Sequence, residues 1–395
     1  MDFGRNNTPF ASAEFLARLA RTKTRMAEAG LDLLIVSDPA NMNYLSGYDG
    51  WSFYVHQVVV VGRDLDQPIW IGRGMDVNGA RLTTTLGEEN IVGYPDDFVQ
   101  SASRHPMQFV ARVLRERGLA KGRIGVEADS FYFTGKSQDV LRAELAEARI
   151  VDAGVLVNWV RAVKSDAEIA LMRQAARITE RALQAGIDAM NVGVRQCDVA
   201  SAILAAATRG TEEFGGDYPA IVPLMPTGIG TSCPHLTWSD APFAAATGTT
   251  IEIAGVRHHY HAPLTRTIHL GRPPDKMRRA AATVLEGIHA ALKAARPGAR
   301  TRDVHAAWTK TIERHGLSKT SRCGYSIGLG YPPDWGEGTI SLRAEDRTVL
   351  EPNMTIHVMP GIWLDDWGIS ISETIRITDD GCETLCDFSR ELITK

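Results

Sequence analysis

The segment TTIEIAGVRHHYHAPLTRTIHLG, residues 249–271, concentrates side chains that can bind metals or move protons. It has the pattern of two β-strands joined by a short turn, and it carries one glutamate, four histidines and no aspartate. Imidazole nitrogens and carboxylate oxygens are common ligands of divalent transition metals. Alternation along an extended strand would place His259 and His261 on one face, so the pattern raises the question of a metal site.

The glutamate of this segment, Glu252, lies in the apolar run TTIEIAGV. A carboxylate in such a run is predicted to be buried, and it can act as a nucleophile, as a general base or as the ion-pair partner of a cation. His235, in TSCPHLTWSD, is the second candidate for chemistry because the pKa of an imidazole lies near neutrality. Taken alone, a histidine in this setting is more often structural.

Composition limits the class of protein. The 395 residues, 44% of them hydrophobic, are enough to bury large cores and to make two domains. A net charge of −4 does not favour a nucleic-acid binder, so a small-molecule substrate is expected. The N-terminal residues lack a signal pattern and no apolar run reaches about 18 residues, which predicts a cytoplasmic protein without a membrane segment. The five cysteines form no CxxC pair, so neither a disulfide framework nor a structural zinc site is indicated.

The elements that must position these residues fall into two halves. Up to about residue 155, strand-like runs such as LDLLIVSD and YVHQVVVVG alternate with amphipathic helical patterns, which predicts an α/β domain. Ser165 and Glu168 then form a capping box that opens a long helix. Beyond it, helical stretches accompany antiparallel strand patterns, which predicts an α+β domain. We place the domains at residues 1–160 and 161–395. Strands of the second domain are expected at 249–271, 354–363 and 369–378.

Several long segments carry a resemblance to a known family. These are RAVKSDAEIALMRQAA, APLTRTIHLG, GYSIGLGYPPDWGEG, VLEPNMTIHVMPGIW and SETIRITDDGCETL. In order and spacing they resemble the creatinase/prolidase/methionine-aminopeptidase superfamily, which implies a pita-bread C-terminal domain behind a creatinase-type N-terminal domain. Within it, NYLSGYDGWSFYVHQ, GGDYPAIVPL and PHLTWSD are similar to the ectoine hydrolases.

The metal-dependent members of this superfamily bind two ions through five ligands, and the resemblance implies where those ligands fall here. The five positions are Glu252, Pro263, Tyr325, Met359 and Ser372. A slip of one residue in the last position would select the neighbouring Glu373. Proline and methionine offer no donor that suits Mg²⁺, Mn²⁺ or Fe²⁺, and tyrosine is a rare ligand. We therefore predict no metal and no other cofactor, and we interpret the turn histidines as solvent-exposed or substrate-facing side chains.

The resemblance implies a metal-independent hydrolase that opens the cyclic amidine ring of ectoine, and of 5-hydroxyectoine, to N-acetyl-2,4-diaminobutyrate. Glu252 would be the nucleophile, forming a covalent adduct, or the ion-pair partner of the amidinium while water attacks directly. His235 matches the histidine that transfers protons in the metal-free site of creatinase.

Further residues are expected around the substrate. Aromatic side chains would line the pocket, although ordinary core packing explains any single one of them equally well. Asp217 would form a hydrogen bond with a nitrogen of the substrate ring. The predicted substrate-binding set is Trp51, Tyr54, Asp217, Tyr218, His261, Tyr325, Trp335 and Met359. For the substrate carboxylate, Arg322, Arg343 and His261 are the candidates.

Two other functions remain open from the sequence. One is a metal-dependent peptidase of the Xaa-Pro aminopeptidase or prolidase type, and the other is an inactive pita-bread binding module. The resemblance also implies a homodimer in which the N-terminal domain of one subunit lies near the active site of the other. Neither nucleic acid nor membrane is an expected partner.

Overall fold

The computed structural model describes residues 8–395, and residues 1–7, part of the segment that lacks a signal pattern, lie outside them. The chain separates into two compact units, which are Met1–Arg161 and Ala162–Lys395. In the part of the chain that is described, no helix has the length and apolar character needed to cross a membrane.

The first unit is built on one mixed six-stranded sheet. Its helices are α1 (Ser12–Glu28), α2 (Pro39–Ser46), α3 (Val77–Thr83), α4 (Pro106–Glu116), α5 (Gly135–Glu144) and α6 (Leu156–Arg161). Its strands are β1 (Leu33–Val36), β2 (Val58–Gly62), β3 (Ile69–Arg73), β4 (Ile91–Tyr94), β5 (Gly122–Val126) and β6 (Ala148–Asp152). They lie in the order β4-β3-β2-β1-β5-β6, with β2 antiparallel to both of its neighbours and the remaining pairs parallel. This is the α/β architecture that the alternating pattern predicts.

The second unit combines four α-helices with a set of mainly antiparallel strands. Its helices are α7 (Asp166–Ala189), α8 (Gln196–Arg209), α9 (Asp275–Ala294) and α10 (Thr301–Glu313). Its strands are β7 (Thr247–Arg257), β8 (Tyr260–Leu270), β9 (Gly324–Tyr331), β10 (Asp334–Ser341), β11 (Thr355–Val358), β12 (Gly361–Trp363), β13 (Gly368–Ser370), β14 (Glu373–Ile377), β15 (Cys382–Thr384) and β16 (Ile393–Thr394). The main sheet runs β15-β14-β11-β9-β8-β16, β10 pairs with β9, β7 pairs with β8, and β12 and β13 form a separate pair.

Local signals account for several boundaries. The predicted capping box is present, because the Glu168 N–H donates to Ser165 Oγ and the Ser165 N–H donates to Glu168 Oε2 at the start of α7. The strand predicted at 354–363 is instead two strands, β11 and β12, since Met359-Pro360 interrupts it. Proline lacks the N–H that a continuous ladder needs.

The hairpin of β7 and β8 is central to the second unit. Its two-residue turn consists of His258 and His259, both with positive φ (47° and 62°), the backbone form that matches the twist of a two-residue hairpin. A Cβ added at Gly255 would lie 2.4 Å from Ala175 O, so the glycine allows α7 to pack directly on the hairpin. Ile251 reaches Gly186 of α7 from the same face. Because side chains alternate along a strand, Glu252 projects from the opposite face.

Candidate active site

Glu252 is a buried carboxylate, only 6% exposed, on the face of β7 that points away from α7. Burial raises its pKa from the ordinary 4.5 to about 7, because a charged carboxylate loses its hydration there. The neighbouring Thr265 hydroxyl, on the residue directly opposite in β8, and the Lys319 ammonium oppose that increase. Near neutral pH Glu252 therefore exchanges readily between its protonated and ionised forms, and an arriving cation would favour the ionised form.

A chain of hydrogen bonds runs from the same pair of strands through three buried side chains. The Thr265 N–H donates to Ser372 Oγ at 2.7 Å, and Ser372 Oγ lies 2.7 Å from His357 Nε2. His357 Nδ1 lies 3.1 Å from Tyr325 Oη, which also accepts a hydrogen bond from Trp335 Nε1 at 2.9 Å. The chain thus joins β8, β11 and β9 and ends on a phenol.

Counting protons along this chain distinguishes two arrangements. If the Ser372 hydroxyl donates to His357 Nε2 and His357 Nδ1–H donates to Tyr325, every buried donor is used except the phenolic hydrogen. If the chain runs the other way, the Ser372 hydroxyl is left without an acceptor. Either arrangement thus leaves one hydroxyl hydrogen unused, but Ser372 is 0% exposed and Tyr325 is 9% exposed. The first arrangement is favoured, because it places the unused hydrogen where water or a ligand can accept it. The Tyr325 hydroxyl is then free to donate to a ligand.

The electrostatics of the chain keep its members neutral. Burial and the charge of Arg322 lower the pKa of His357 to about 3, so its imidazole is uncharged. Burial and the nearby Glu252 carboxylate raise the pKa of Tyr325 well above its ordinary value, so the phenol keeps its proton. A neutral imidazole with a phenol on one side and a hydroxyl on the other can pass a proton in either direction.

Two cationic side chains, Lys319 and Arg322, lie on the segment that leads into β9, next to the hydrogen-bonded chain that ends at Tyr325. The Lys319 Nζ lies 3.7 Å from the centre of the Trp363 ring, and the Arg322 Cζ lies 4.3 Å from the centre of the Tyr325 ring. The Lys319 Nζ is buried and has no hydrogen-bond partner among residues 8–395. Burial lowers its pKa to about 8, while Cys323 and Glu252 oppose that change. A buried ammonium without an acceptor is suited to receive one from a ligand.

The structure corrects the sequence-based interpretation of the turn histidines. His261 is completely buried, its Nδ1–H donates to His259 O at 2.8 Å, and its Nε2 accepts from the Ala220 N–H at 2.9 Å. Burial lowers its pKa to about 3, in keeping with a neutral ring. Neither ring nitrogen is available to a substrate, so His261 orders the backbone instead. His259 is also buried and stacks on Tyr331 at 4.3 Å. The expectation of solvent-exposed imidazoles is therefore wrong for these two residues.

His235 lies on an exposed turn. The turn is joined to the site through backbone, since the Met225 N–H donates to Leu236 O at 2.9 Å and Leu224 pairs with Glu252. The imidazole itself makes no hydrogen bond to any described residue.

Asp217 and Tyr218 lie at the turn end of the hairpin. The Asp217 N–H donates to Val256 O at 3.1 Å, and the Tyr218 ring lies 5.0 Å from that of His259. Val256 is four positions along the strand from Glu252, roughly 13 Å. Within residues 8–395, Asp217 Oδ2 is buried and makes no hydrogen bond.

The remaining predicted residues have different surroundings. Trp335 is buried and bonds Tyr325, and Met359 is half-buried, its N–H donating to Cys323 O at 2.8 Å. Trp51 and Tyr54 belong to the first unit, where their side chains are 57% and 65% exposed. Arg343, a candidate for the substrate carboxylate, is exposed and donates to Ser341 Oγ.

The side chains at the five implied ligand positions do not fit a dinuclear metal centre. Glu252 is the single carboxylate among them, and Tyr325 and Ser372 are both engaged by His357. Glu373 does not replace the missing carboxylate, because Oε1 pairs with Arg266 at 2.7 Å and with Arg390 at 2.9 Å. Over the described stretch 8–395, no group of three or more His, Cys, Asp or Glu side chains is placed to hold a metal ion.

Sequence reasoning did not identify Lys319 or His357 as members of this site. His357 could have been found, since it shares a strand face with Met359, which occupies a predicted ligand position. Lys319 lies in the irregular segment GLSKTSRCG, where no periodicity indicates the direction of a side chain.

Comparisons with known proteins give a consistent assignment. The description "Metallopeptidase family M24" matches residues 170–379, and "Creatinase/Prolidase N-terminal domain" matches residues 18–163. An ectoine hydrolase from Halomonas elongata is 48% identical over 98% of this chain and 98% of its own length.

Solved structures show the same fold at lower identity. A dipeptidase from Pyrococcus horikoshii has a TM-score of 0.80 at 20% identity, covering 96% of this chain and 100% of that structure. An X-Pro aminopeptidase from Thermotoga maritima has a TM-score of 0.80 at 20% identity, covering 95% of this chain and 99% of that structure. These matches confirm the predicted α/β domain followed by an α+β pita-bread domain. The chain belongs to the M24 family in its creatinase/prolidase branch, and it is a hydrolase that acts on carbon–nitrogen bonds.

Proposed function

We propose that this protein is a metal-independent ectoine hydrolase, which opens the cyclic amidine ring of ectoine and of 5-hydroxyectoine to N-acetyl-2,4-diaminobutyrate. The observation that carries the proposal is a buried carboxylate, Glu252, which acts electrostatically on the neutral phenol of Tyr325, and Tyr325 and Ser372 stand at positions where the resemblance implies metal ligands in metal-dependent relatives. The identity of 48% with an ectoine hydrolase over nearly the whole chain supports the substrate.

The chemistry of ectoine fits such a site. Its ring carries a positively charged amidinium, whose central carbon is electrophilic without a Lewis acid, and a carboxylate. Pairing with the amidinium would lower the pKa of Glu252, so that the bound glutamate is ionised when it is needed. The enzyme then has to supply a nucleophile and a proton for the departing nitrogen.

In the covalent route, a Glu252 oxygen bonds to the amidine carbon and the π-electron pair moves onto a ring nitrogen. The other carbon–nitrogen bond then breaks as that nitrogen takes a proton from a donor, which leaves a mixed imidic anhydride on Glu252. Water adds to the same carbon and gives one proton back to the donor. Collapse releases the amide and the Glu252 carboxylate, and the second water proton passes to the freed amine, which becomes an ammonium. In the direct route Glu252 forms only an ion pair with the amidinium, and water itself adds to the amidine carbon before the carbon–nitrogen bond breaks.

Two side chains are candidates for the proton donor. The Tyr325 hydroxyl is the better supported, because its hydrogen has no acceptor in the arrangement that satisfies Ser372 and His357. His357 Nδ1–H, which is hydrogen-bonded to Tyr325 Oη, can then donate a replacement proton to the phenolate. His235 is the second candidate, on an exposed turn whose backbone is bonded to the segment that pairs with Glu252.

A second function has a specific observation in its favour, namely the membership of the M24 family. A metal-dependent Xaa-Pro peptidase would act on proline dipeptides only when supplied with metal. The test incubates purified protein with ectoine in excess chelator, and in parallel with a proline dipeptide plus Mn²⁺, and follows both by NMR. Ring opening with chelator supports our proposal. Dipeptide cleavage without ectoine turnover would replace it by the peptidase, and neither reaction would favour an inactive binding module.

We further propose a cytoplasmic homodimer. The exposed rings of Trp51 and Tyr54 support this part, because such side chains in the first unit are suited to meet a substrate held by the second unit of a partner. Sedimentation of the purified protein tests the assembly, and a monomer at the concentrations used for activity would contradict it.

A further inference from the structure

Lys319 presents an uncompensated charge in the interior of the second unit. Its Nζ lies over the Trp363 ring at 3.7 Å, is buried, and donates no hydrogen bond to any group of residues 8–395. A cation–π contact replaces only part of the hydration that an ammonium loses on burial. The three N–H donors of Lys319 therefore have no acceptor among the described residues, and an anion bound beside them would be stabilised.

The surroundings define what that anion would be attached to. The segment of Lys319 is fixed beside β11 by the hydrogen bond from the Met359 N–H to Cys323 O. Lys319 and Glu252 are close enough for each charge to act on the other, yet they form no ion pair. The site thus offers one carboxylate and, separate from it, positive charge from Lys319, which is complementary to a small zwitterion whose own charges are a few bonds apart.

Resting on the proposed function, we propose that Lys319, held against Trp363, is the subsite that binds the carboxylate of the substrate, and that it restricts the enzyme to cyclic amidines that carry this group. Arg322, which stacks on Tyr325, provides a second positive charge nearby. The other cationic candidates fit less well, since both nitrogens of His261 are occupied by backbone and Arg343 is exposed.

The experiment compares ectoine with 2-methyl-1,4,5,6-tetrahydropyrimidine, the same ring without the carboxylate. We expect Lys319→Met to lower kcat/KM for ectoine about 10- to 150-fold, the usual loss for a hydrogen bond to a charged group. Turnover of the analogue by the same variant should change by less than about threefold, because the analogue has nothing to lose there. Lys319→Arg should restore part of the ectoine activity.

A matched control is available on the surface. Lys276 also lies over a tryptophan ring, 5.2 Å from Trp367, but it pairs with Asp366 at 3.0 Å. Lys276→Met should leave both substrates unaffected. If Lys319→Met fails to fold, the wild-type protein still gives an answer, since ectoine must bind at least tenfold more tightly than the analogue.

The outcomes separate this inference from the function on which it rests. Suppose that the wild-type protein opens ectoine. Equal losses of kcat/KM for both substrates in Lys319→Met, or equal affinities of the wild-type protein for the two, would then overturn the subsite and leave the function intact. Wild-type protein that neither binds nor opens ectoine would overturn both.

Discussion

Replacing Glu252 by glutamine should abolish turnover and make the protein more stable at alkaline pH. Burial raises the pKa of Glu252 from 4.5 to about 7, so the folded state holds its proton more tightly than the unfolded chain does. At 1.36 kcal/mol for each pKa unit, the ionised side chain costs the folded state about 3 kcal/mol. Glutamine has nearly the same shape and cannot ionise.

The pH dependence of this effect has a definite sign. Below the unfolded value of 4.5 both states carry the proton, and the cost is absent. It grows as pH rises from about 4.5 to about 7 and is constant above that range. The stability gain of Glu252→Gln should therefore be near zero at pH 4.5 and about 3 kcal/mol at pH 8, which corresponds to an increase in melting temperature on the order of 6–12 °C.

Thermal unfolding of wild-type and variant protein between pH 4.5 and 8.5 is the assay, with ectoine turnover measured on the same samples. Glu337→Gln is the matched control, because Glu337 is equally buried but pairs with Lys164 at 2.7 Å. Removing one partner of a buried ion pair leaves the other charge uncompensated, so this variant should be destabilised at pH 8. A pH-independent difference for Glu252→Gln, or a variant less stable than wild type at pH 8, would refute the reasoning. Full activity would remove Glu252 from the reaction.

Three further predictions concern the proton path. Tyr325→Phe should lower kcat by about 10²- to 10⁴-fold with a smaller change in KM, the range for loss of a general acid, and an unchanged kcat measured by initial rates would exclude the phenol as donor. The pH profile of kcat/KM should be bell-shaped, rising near pH 7 as Glu252 ionises and falling above about 8 as Lys319 loses its proton; a flat profile over this range would contradict both assignments. His235→Ala should also be inactive if its turn closes over the substrate, and near-normal rates across the pH range would discard it as a proton shuttle.

The sequence was sufficient where local patterns carry the information. The capping box of Ser165 and Glu168, the hairpin at 249–271 and the burial of Glu252 all follow from residue types at short spacing. The predicted succession of an α/β and an α+β domain follows from the same kind of pattern. These features depend on a few neighbouring residues, so a single sequence contains them.

The turn histidines show where such reasoning failed. Period-two alternation was extended to His259, but the strand ends at Arg257 and the turn residues adopt positive φ, so alternation no longer fixes their direction. His261 is consumed by hydrogen bonds to His259 and Ala220, and the second of these partners is distant in sequence.

The chain through His357 was likewise out of reach. It joins Thr265, His357 and Tyr325 of three different strands through Ser372, and strand order within a sheet cannot be derived from spacing alone. Lys319 depends on the course of an irregular segment over Trp363. The site residues of highest interest are therefore those that long-range packing brings together.

The central claim is that a carboxylate with neutral donors, rather than bound metal, performs the reaction. The most direct measurement determines metal content and ectoine turnover on the same samples, as metal is removed by chelation and then restored with Mn²⁺ or Co²⁺. If the carboxylate performs the reaction without metal, kcat stays constant while bound metal falls far below one ion per chain. Activity that disappears with the metal and returns in proportion to the ions rebound would contradict it.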